Sequence, residues 1–272
     1  MRTTVAALGL ALIVSTSASA QSEPELTGNL PGKFSIFAGA LFGADLDTKI
    51  RLDGDNRGTT IDLESLLGLK SSAQSFAGAI SWRPHRRHLL SAGYYGIKRS
   101  NSKALNRDID VGDSTWTVNT KVTANFNTEY ATLGYRWSPI LTSRVSAGLA
   151  VVIPVVFANT GLTVDASGVQ TEVNRKESIT VPIPLPGLHA TFRVTDQFWL
   201  DTRAQYLKIT IFGIEADVID YGANLHYYPI SHLGIALGLV GNNLSVAGDG
   251  DVLKGKFSYD VLGGSLGLTY VP

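Results

Sequence analysis

Cysteine, net charge and long apolar runs are all missing from this sequence of 272 residues. Without cysteine, disulfide cross-links, thiol catalysis and cysteine-ligated zinc are excluded. The charges of the 23 basic and 23 acidic residues cancel. This argues against a nucleic-acid partner, because protein surfaces that bind nucleic acid carry an excess of basic residues. Beyond the N-terminus, the longest apolar run is Gly148 to Ala158, which is shorter than the roughly 20 residues of a membrane-spanning helix. A membrane crossing would therefore have to use strands.

The N-terminus has the features of a cleavable secretory signal peptide. Arg2 supplies a positive charge, an apolar stretch of about ten residues follows, and small residues at 18–20 precede the expected cleavage point. We expect residues 1–20 to be the signal peptide, residues 21–32 to be an N-terminal segment and residues 33–272 to form one domain.

Connections of two kinds interrupt the strand-like alternation that follows. Short connections rich in turn formers alternate with long ones rich in Gly, Asp, Asn and Ser. The short ones span 83–87, 138–142, 194–197 and 229–232; the long ones span 53–72, 101–117, 166–176 and 247–254, with a brief one near Gly213. Aromatic residues flank the short connections and both ends of the domain: Phe34, Trp82, Trp137, Phe192, Phe198, Trp199, Tyr227, Tyr228 and Tyr270. Short turns beside an aromatic girdle, opposite long polar loops, are typical of outer-membrane barrels.

The pattern predicts an all-β fold with a single antiparallel transmembrane β-barrel of about ten strands. Merging or splitting one predicted hairpin would give eight or twelve strands. The predicted strands cover 33–52, 73–83, 88–110, 118–137, 143–165, 177–194, 197–212, 215–228, 231–247 and 254–271. An even count places both ends in the periplasm, and the predicted location is the outer membrane of a Gram-negative bacterium.

Alternation assigns the side chains of each strand to a lipid face or to the lumen. The lumen-lining candidates near the periplasmic half are mostly basic: Arg83, Arg136, Arg144, His189, Arg193, Asp201, Arg203 and Gln205. Two interpretations stay open. These groups could pair across the interior and fill it, as in many small barrels, or they could form a constriction that selects anionic or polar solutes.

Enzyme chemistry and metal sites have weak support in the sequence. The five histidines lie at or near the predicted periplasmic side, so a histidine general base is not available at the outer surface, and no catalytic residue is predicted. Asp108 and Asp110 form a lone carboxylate pair that fits a solvated rim better than a catalytic site. The segment from Asp53 to Glu64 has partial calcium-loop spacing, but Arg57 occupies a ligand position, and no metal or cofactor is predicted. Residues 61–67 could form a short amphipathic helix over the barrel mouth.

Three stretches resemble a known group. Residues 60–64, the run from Arg86 to Tyr95, and Tyr130 to Trp137 are similar in style to proteobacterial OmpW-type and omptin-size outer-membrane barrels. The resemblance implies the barrel fold and, as partners, outer-membrane lipids, lipopolysaccharide and the barrel assembly machinery. It carries no catalytic residue. The chain departs from such barrels at its C-terminus, because its last aromatic residue, Tyr270, stands two positions before the end.

The leading hypothesis is a non-enzymatic membrane barrel that forms a narrow, porin-like pore for small solutes or a filled structural element. Two alternatives stay open: an outer-leaflet enzyme that processes lipid or peptide, and surface adhesion or partner binding through the long loops.

Overall fold

The alternation of apolar and polar residues gives an extended chain with strands throughout. The structure, a computed structural model, describes residues 33–54, 58–111, 114–166, 169–173, 184–211, 213–249 and 254–272; the predicted signal peptide and N-terminal segment lie outside them. The strands are β1 (Phe34–Leu52), β2 (Ile61–Asp62), β3 (Ser72–His85), β4 (His88–Ala104), β5 (Ile109–Val111), β6 (Ser114–Trp116), β7 (Lys121–Leu141), β8 (Val145–Ala166), β9 (Val169–Val173), β10 (Leu185–Arg193), β11 (Phe198–Ile211), β12 (Ile214–Ile230), β13 (Leu233–Asp249) and β14 (Lys254–Tyr270). No helix in these ranges is long and apolar enough to cross a membrane.

Ten of these strands close into one antiparallel ring. The order is β1-β3-β4-β7-β8-β10-β11-β12-β13-β14, and β14 pairs with β1 from Ile36–Tyr270 to Leu52–Gly255. β10 closes the gap between β8 and β11, with Val152 opposite Leu185 and Val145 opposite Phe192. Closure leaves no open sheet edge along the ring. The predicted all-β barrel of about ten strands is confirmed.

Three proline residues mark the places where strands bend near the short turns. Pro84, Pro139 and Pro229 each lie within a register shift of the strand pairing. A bulge leaves one residue out of the ladder, which suits proline because it has no N–H to donate. The strands therefore continue through these prolines to His85, Leu141 and Ile230, and the predicted turn starts at residues 83, 138 and 229 are wrong by a few positions.

Other differences lie in the long connections. The predicted strand over 88–110 ends at Ala104, and Ile109–Val111 instead pairs with Ser114–Trp116 in a separate two-stranded hairpin. β9 (Val169–Val173) extends the pairing of β8 into a segment that was predicted to be a loop. Of the predicted strand 177–194, the structure describes residues 184–194 and forms β10 there; the rest lies outside the described residues.

The outer face of the ring is a band of exposed apolar side chains. Leu133, Leu149, Leu237, Leu266 and Leu268 are 50–59% exposed, as alternation predicts for a lipid-facing surface. Aromatic rings stand near the short turns, where Phe34 stacks on Trp82 with centroids 6.1 Å apart and Phe198 stacks on Tyr227 at 4.7 Å.

Two residues assigned to this girdle instead point inward. Trp199 and Tyr228 are 3% and 6% exposed and pack with Val271 inside the short-turn end. Each directly follows an outward aromatic residue, and successive strand residues face opposite sides of a sheet.

Candidate functional site

The connection between β1 and β3 folds into the barrel instead of standing above it. We call residues 61–71 the plug. Leu63, Leu66, Leu67 and Leu69 are 2%, 7%, 0% and 3% exposed. Their segment contains turns and only a two-residue strand, so the predicted amphipathic helix does not form, although the segment does lie in the barrel mouth. The apolar periodicity was visible in the sequence; the inward direction was not.

A buried ion pair fixes the plug to the barrel wall. The Arg99 guanidinium contacts the Glu64 carboxylate and donates to Thr48 Oγ1 at 2.6 Å and to the Lys70 carbonyl at 3.3 Å. Glu64 also accepts the Thr48 backbone N–H at 2.8 Å. The Arg99 side chain is 2% exposed and lies 5.2 Å from the centroid of the Phe126 ring.

Hydrogen bonds to backbone groups hold the plug on both sides. Asn101 Nδ2 donates to the Leu67 carbonyl at 2.8 Å, and Lys103 Nζ donates to the Ser65 carbonyl at 2.9 Å. At the other side, Leu63 N–H donates to the Thr48 carbonyl at 2.9 Å. The plug is therefore held by β1 and β4 together.

Inward side chains of the barrel strands complete a continuous apolar core around the plug. The core includes Leu46, Ile97, Val122, Phe126, Leu185, Val218, Leu244 and Tyr259, from seven barrel strands. The half of the lumen next to the long loops is thus filled.

A cavity of about 390 Å³ occupies the other half of the lumen. Its wall combines small side chains, such as Ala79 and Gly93, with the charged groups of Arg83, Arg136, Asp201, Arg203 and Asp220. The small residues create the space, because each leaves the volume that a larger inward side chain would fill. We call this space the lower cavity.

Two ion pairs join strands of the lower cavity: one runs from β7 to β11, past β8 and β10, and the other joins the neighbouring strands β11 and β12. Arg136 donates to both carboxylate oxygens of Asp201, at 2.7 and 3.1 Å, and Thr191 Oγ1 donates to Asp201 at 2.9 Å. Arg203 Nε donates to Asp220 at 3.1 Å. With its amide nitrogen turned toward Asp220, Gln205 also donates to that carboxylate at 2.8 Å.

The structure brings together some of the predicted lumen residues and separates others. Arg83, Arg136, Asp201 and Arg203 line the lower cavity. His189 and Gln205 are buried in the wall, at 5% and 2% exposure, and His189 Nε2 lies 3.4 Å from both Ser138 Oγ and the Trp137 carbonyl.

One predicted lumen residue, Arg144, lies in a short turn instead, and another, Arg193, is the last residue of β10. Arg144 is exposed in the turn before β8, where its carbonyl accepts the Arg193 N–H at 2.7 Å. The Arg193 side chain pairs with Asp196 at 2.8 Å and lies over the Trp199 ring at 5.6 Å. The placement of Arg144 in the lumen is corrected, because alternation does not set side-chain direction where a strand runs into a turn. Arg193 is in register with the inward-facing Trp199 and therefore lies on the lumen side of β10.

Glu64 and Arg99 are the functional pair that sequence reasoning missed. Arg99 follows the inward positions Tyr95 and Ile97 at intervals of two, which was a usable signal. Its partner lies 35 residues away, and no local pattern indicates that pairing.

The acidic groups considered for catalysis or metal binding have structural partners. Asp108 accepts the Val118 N–H and Asp110 accepts the Thr115 hydroxyl, each at 2.7 Å. Asp53 pairs with Arg51 at 2.9 Å and accepts the Gly58 N–H at 2.8 Å. These contacts brace the loops that carry them.

One carboxylate cluster does form beside the plug. Oxygens of Asp47, Asp62 and Glu64 lie within 4.8 Å of one another. Lys49 pairs with Asp47 and Arg99 pairs with Glu64, so cations of the chain offset two of the three carboxylates.

Charged side chains also lie on the barrel wall beyond the apolar band, near the connection between β11 and β12. Both faces of β11 are exposed from Lys208 to Ile211, and Lys208 Nζ lies 3.2 Å from Glu215 and 3.8 Å from Asp217. The hydrogen bond with Glu215 is the main cause that raises the pKa of Lys208.

Solved structures similar to this chain include outer-membrane proteins. The outer-membrane protease OmpT from Escherichia coli aligns with a TM-score of 0.54 at 13% identity, over 91% of this chain and 99% of that chain. This chain has the fold of an outer-membrane β-barrel. Ail from Yersinia pestis aligns with a TM-score of 0.34 at 10% identity, over 88% and 99% of the two chains. A FadL homologue from Pseudomonas aeruginosa gives 0.34 at 12% identity, over 88% and 90%. No protein-family model and no curated protein matches the sequence.

Proposed function

We propose that this protein is a non-enzymatic barrel of a Gram-negative outer membrane whose lumen is closed at the extracellular side by the plug. The observation that carries the proposal is the burial of Leu63, Leu66, Leu67 and Leu69 inside the ring. Fully burying a leucine contributes about 1.5–3 kcal/mol, so an extracellular mouth sealed by four of them favours a closed barrel over a permanently open pore.

The placement of polar groups supports the non-enzymatic part of the proposal. The five histidines belong to β3, β4, β10, β12 and the turn before β13, all toward the short-turn half. Asp108 and Asp110 use their carboxylates in loop hydrogen bonds. Among the described residues, therefore, no histidine can serve as a general base at the outer rim. As partners we propose lipopolysaccharide, outer-membrane lipids and the barrel assembly machinery.

Planar lipid bilayers test the closed lumen. The test variant replaces residues 61–70 with a Gly-Ser linker of equal length, and the matched control is Ser65→Ala, an exposed position of the same plug. We expect no steady conductance from the wild type and the control, and ion conductance from the linker variant. Steady conductance of the wild type would overturn the closed barrel.

The enzyme alternative has its own measurement. Cells with and without the protein are compared by mass spectrometry of lipid A, and the purified barrel is incubated with basic peptides. We expect identical lipid profiles and intact peptides. A modified lipid or a cleaved peptide would replace the proposal with an outer-leaflet enzyme.

A further inference from the structure

The hairpin turn between β3 and β4 is basic. Arg86 and Arg87 form the turn, and His85 and His88 pair with each other across it, with ring centroids 5.8 Å apart. Arg86 is exposed. Aspartate and glutamate are absent from the strand segments beside the turn, which are residues 33–44, 72–92 and 131–149. These segments therefore offer the Arg86 guanidinium no carboxylate.

Aromatic side chains lie beside the turn on the lipid-facing side of the ring. Trp82 of β3 and Tyr135 of β7 are 41% and 40% exposed, and both lie opposite Leu90 of β4. In the next row toward the turn, His88 lies opposite Trp137, and its Nδ1 is hydrogen-bonded to Tyr135 Oη at 2.7 Å. We call this group the basic platform: Trp82, His85, Arg86, His88, Tyr135 and Trp137.

The two rows of the basic platform lie at different depths in a membrane. Two residues of a strand rise about 7 Å, which is about 5 Å along the membrane normal at a strand tilt of about 40°. The polar layer of a bilayer is about 5–8 Å thick on each side. Aromatic rings with polar edges prefer the boundary of the hydrocarbon, which is where the row of Trp82 and Tyr135 would lie. The row of His85 and His88, with Arg86 beyond it, then lies among the lipid phosphates.

The β10–β11 turn, on another side of the ring, has aromatic rings but balanced charge. Phe198 stacks on Tyr227 with centroids 4.7 Å apart, and Arg193 pairs with Asp196 at 2.8 Å. Aromatic rings therefore recur around the short-turn end, whereas the basic platform combines them with an exposed arginine that its neighbouring strand segments leave without a carboxylate.

We propose that the basic platform binds the phosphate of an anionic glycerophospholipid, such as phosphatidylglycerol, in the leaflet next to the short turns. Arg86 and the histidine N–H groups donate to the phosphate, and the aromatic rings contact the glycerol and the upper part of the chains. An anionic headgroup fits better than a zwitterionic one, because an ammonium group would find no carboxylate in the neighbouring segments. The inference rests on the proposed placement in an outer membrane and adds the lipid class and the contact surface.

Competition between brominated lipids tests this preference. The folded full-length barrel is inserted into phosphatidylcholine vesicles at low salt, with a small fraction of either phosphatidylglycerol or phosphatidylcholine that carries brominated chains. Bromine quenches the fluorescence of nearby tryptophans. Trp82 and Trp137 belong to the basic platform, whereas the other two tryptophans, Trp116 and Trp199, are buried, so quenching reports mainly on lipid at the platform.

Three variants separate the charge of the platform from charge elsewhere. Arg86→Gln removes the exposed charge and keeps the backbone carbonyl that accepts the Arg83 bond, and Arg86→Lys restores the charge. Arg107→Gln is the matched control, because it removes an exposed arginine from the β4–β5 connection, at the other end of β4. Heat-dependent gel migration confirms that each variant is folded.

We expect the wild type to prefer phosphatidylglycerol about 5- to 30-fold, because each cation near an anionic lipid surface contributes a preference of about fivefold. Arg86→Gln should lose about fivefold of this preference, whereas Arg86→Lys and Arg107→Gln should retain it. High salt should lower the preference of the wild type, because it screens exposed charges.

An inserted wild-type barrel that shows no lipid preference would overturn the lipid site alone. Failure of the folded barrel to insert into neutral vesicles would instead overturn the membrane placement on which the site rests. An equal loss in Arg86→Gln and Arg107→Gln would overturn the site, because the preference would then come from the charge of the whole barrel. A wild-type preference that high salt leaves unchanged would also overturn it, and this measurement needs no variant to fold.

Discussion

Replacement of Glu64 by Gln removes the charge that balances buried Arg99. Because the Arg99 side chain is 2% exposed and the Glu64 side chain 13% exposed, water cannot take over the role of the carboxylate. Breaking a buried ion pair by removing one partner typically costs about 3–5 kcal/mol, since an uncompensated buried charge is left behind. Glutamine keeps an acceptor for the Thr48 N–H, and Glu64 has slight solvent contact. We therefore expect Glu64→Gln to lower the free energy of unfolding by about 2–4 kcal/mol.

Urea unfolding in lipid vesicles, followed by tryptophan fluorescence, measures this loss. The control is Asp196→Asn, which breaks the Arg193–Asp196 pair at a turn where Asp196 is 91% exposed. Exposed pairs contribute about 0–1 kcal/mol, so the control should lose little. The double variant Glu64→Gln/Arg99→Met should recover part of the loss, because it removes the orphaned charge and fills its volume.

The reasoning is refuted if Glu64→Gln costs no more than Asp196→Asn. It is also refuted if the double variant is less stable than either single variant, because the two losses would then be independent and the pair would not couple.

Three further outcomes follow from burial. Leu67→Ala should lower the free energy of unfolding by about 2–5 kcal/mol, because Leu67 is fully buried. Leu133→Ala should lower it less, because that side chain is 59% exposed on the outer face. The urea midpoints of unfolding in vesicles compare the two variants. Leu266→Arg should cost about 2–4 kcal/mol when folding is measured in bilayers, since it places a charge on the apolar band, and an unchanged folded fraction would argue against a lipid-facing position. Asp201→Asn should lower the free energy of unfolding by about 1–3 kcal/mol in the same assay, because the bidentate Arg136 bond weakens beside a cavity large enough for water; a loss above this range would contradict access of water to the lower cavity.

The fold could be predicted from the local sequence, because the same alternation of side chains between two faces recurs in every strand of a barrel. Side chains of a strand alternate between two faces, so exposed Leu149 and buried Ala150 in β8 could be assigned without knowing which strands are neighbours. Turn formers and aromatic residues fixed which end of each hairpin is short. The same rule failed where the period breaks: Arg144 lies in a turn, and the bulges at Pro84 and Pro139 move the turn boundaries.

The site was only partly predictable from the sequence. The direction of a side chain follows from its position in the strand, whereas its interaction partner can lie far away along the chain. Arg83, Arg136 and Arg203 were assigned to the lumen by alternation, and the structure adds that, among the described residues, Arg136 and Arg203 form ion pairs whereas Arg83 contacts a backbone carbonyl. Trp199 was assigned to the outer girdle, although its own neighbour Phe198 already occupied the outward position.

By itself, the sequence determined a ring of about ten antiparallel strands with an apolar outer face, because the alternation and the turn signals that predict both depend on neighbours along the chain. Only the tertiary structure decided that the β1–β3 connection enters the ring, that Glu64 meets Arg99 across 35 residues, and that the filled half and the cavity lie at opposite ends. Those features depend on which distant groups become buried together, and burial is a property of the closed ring.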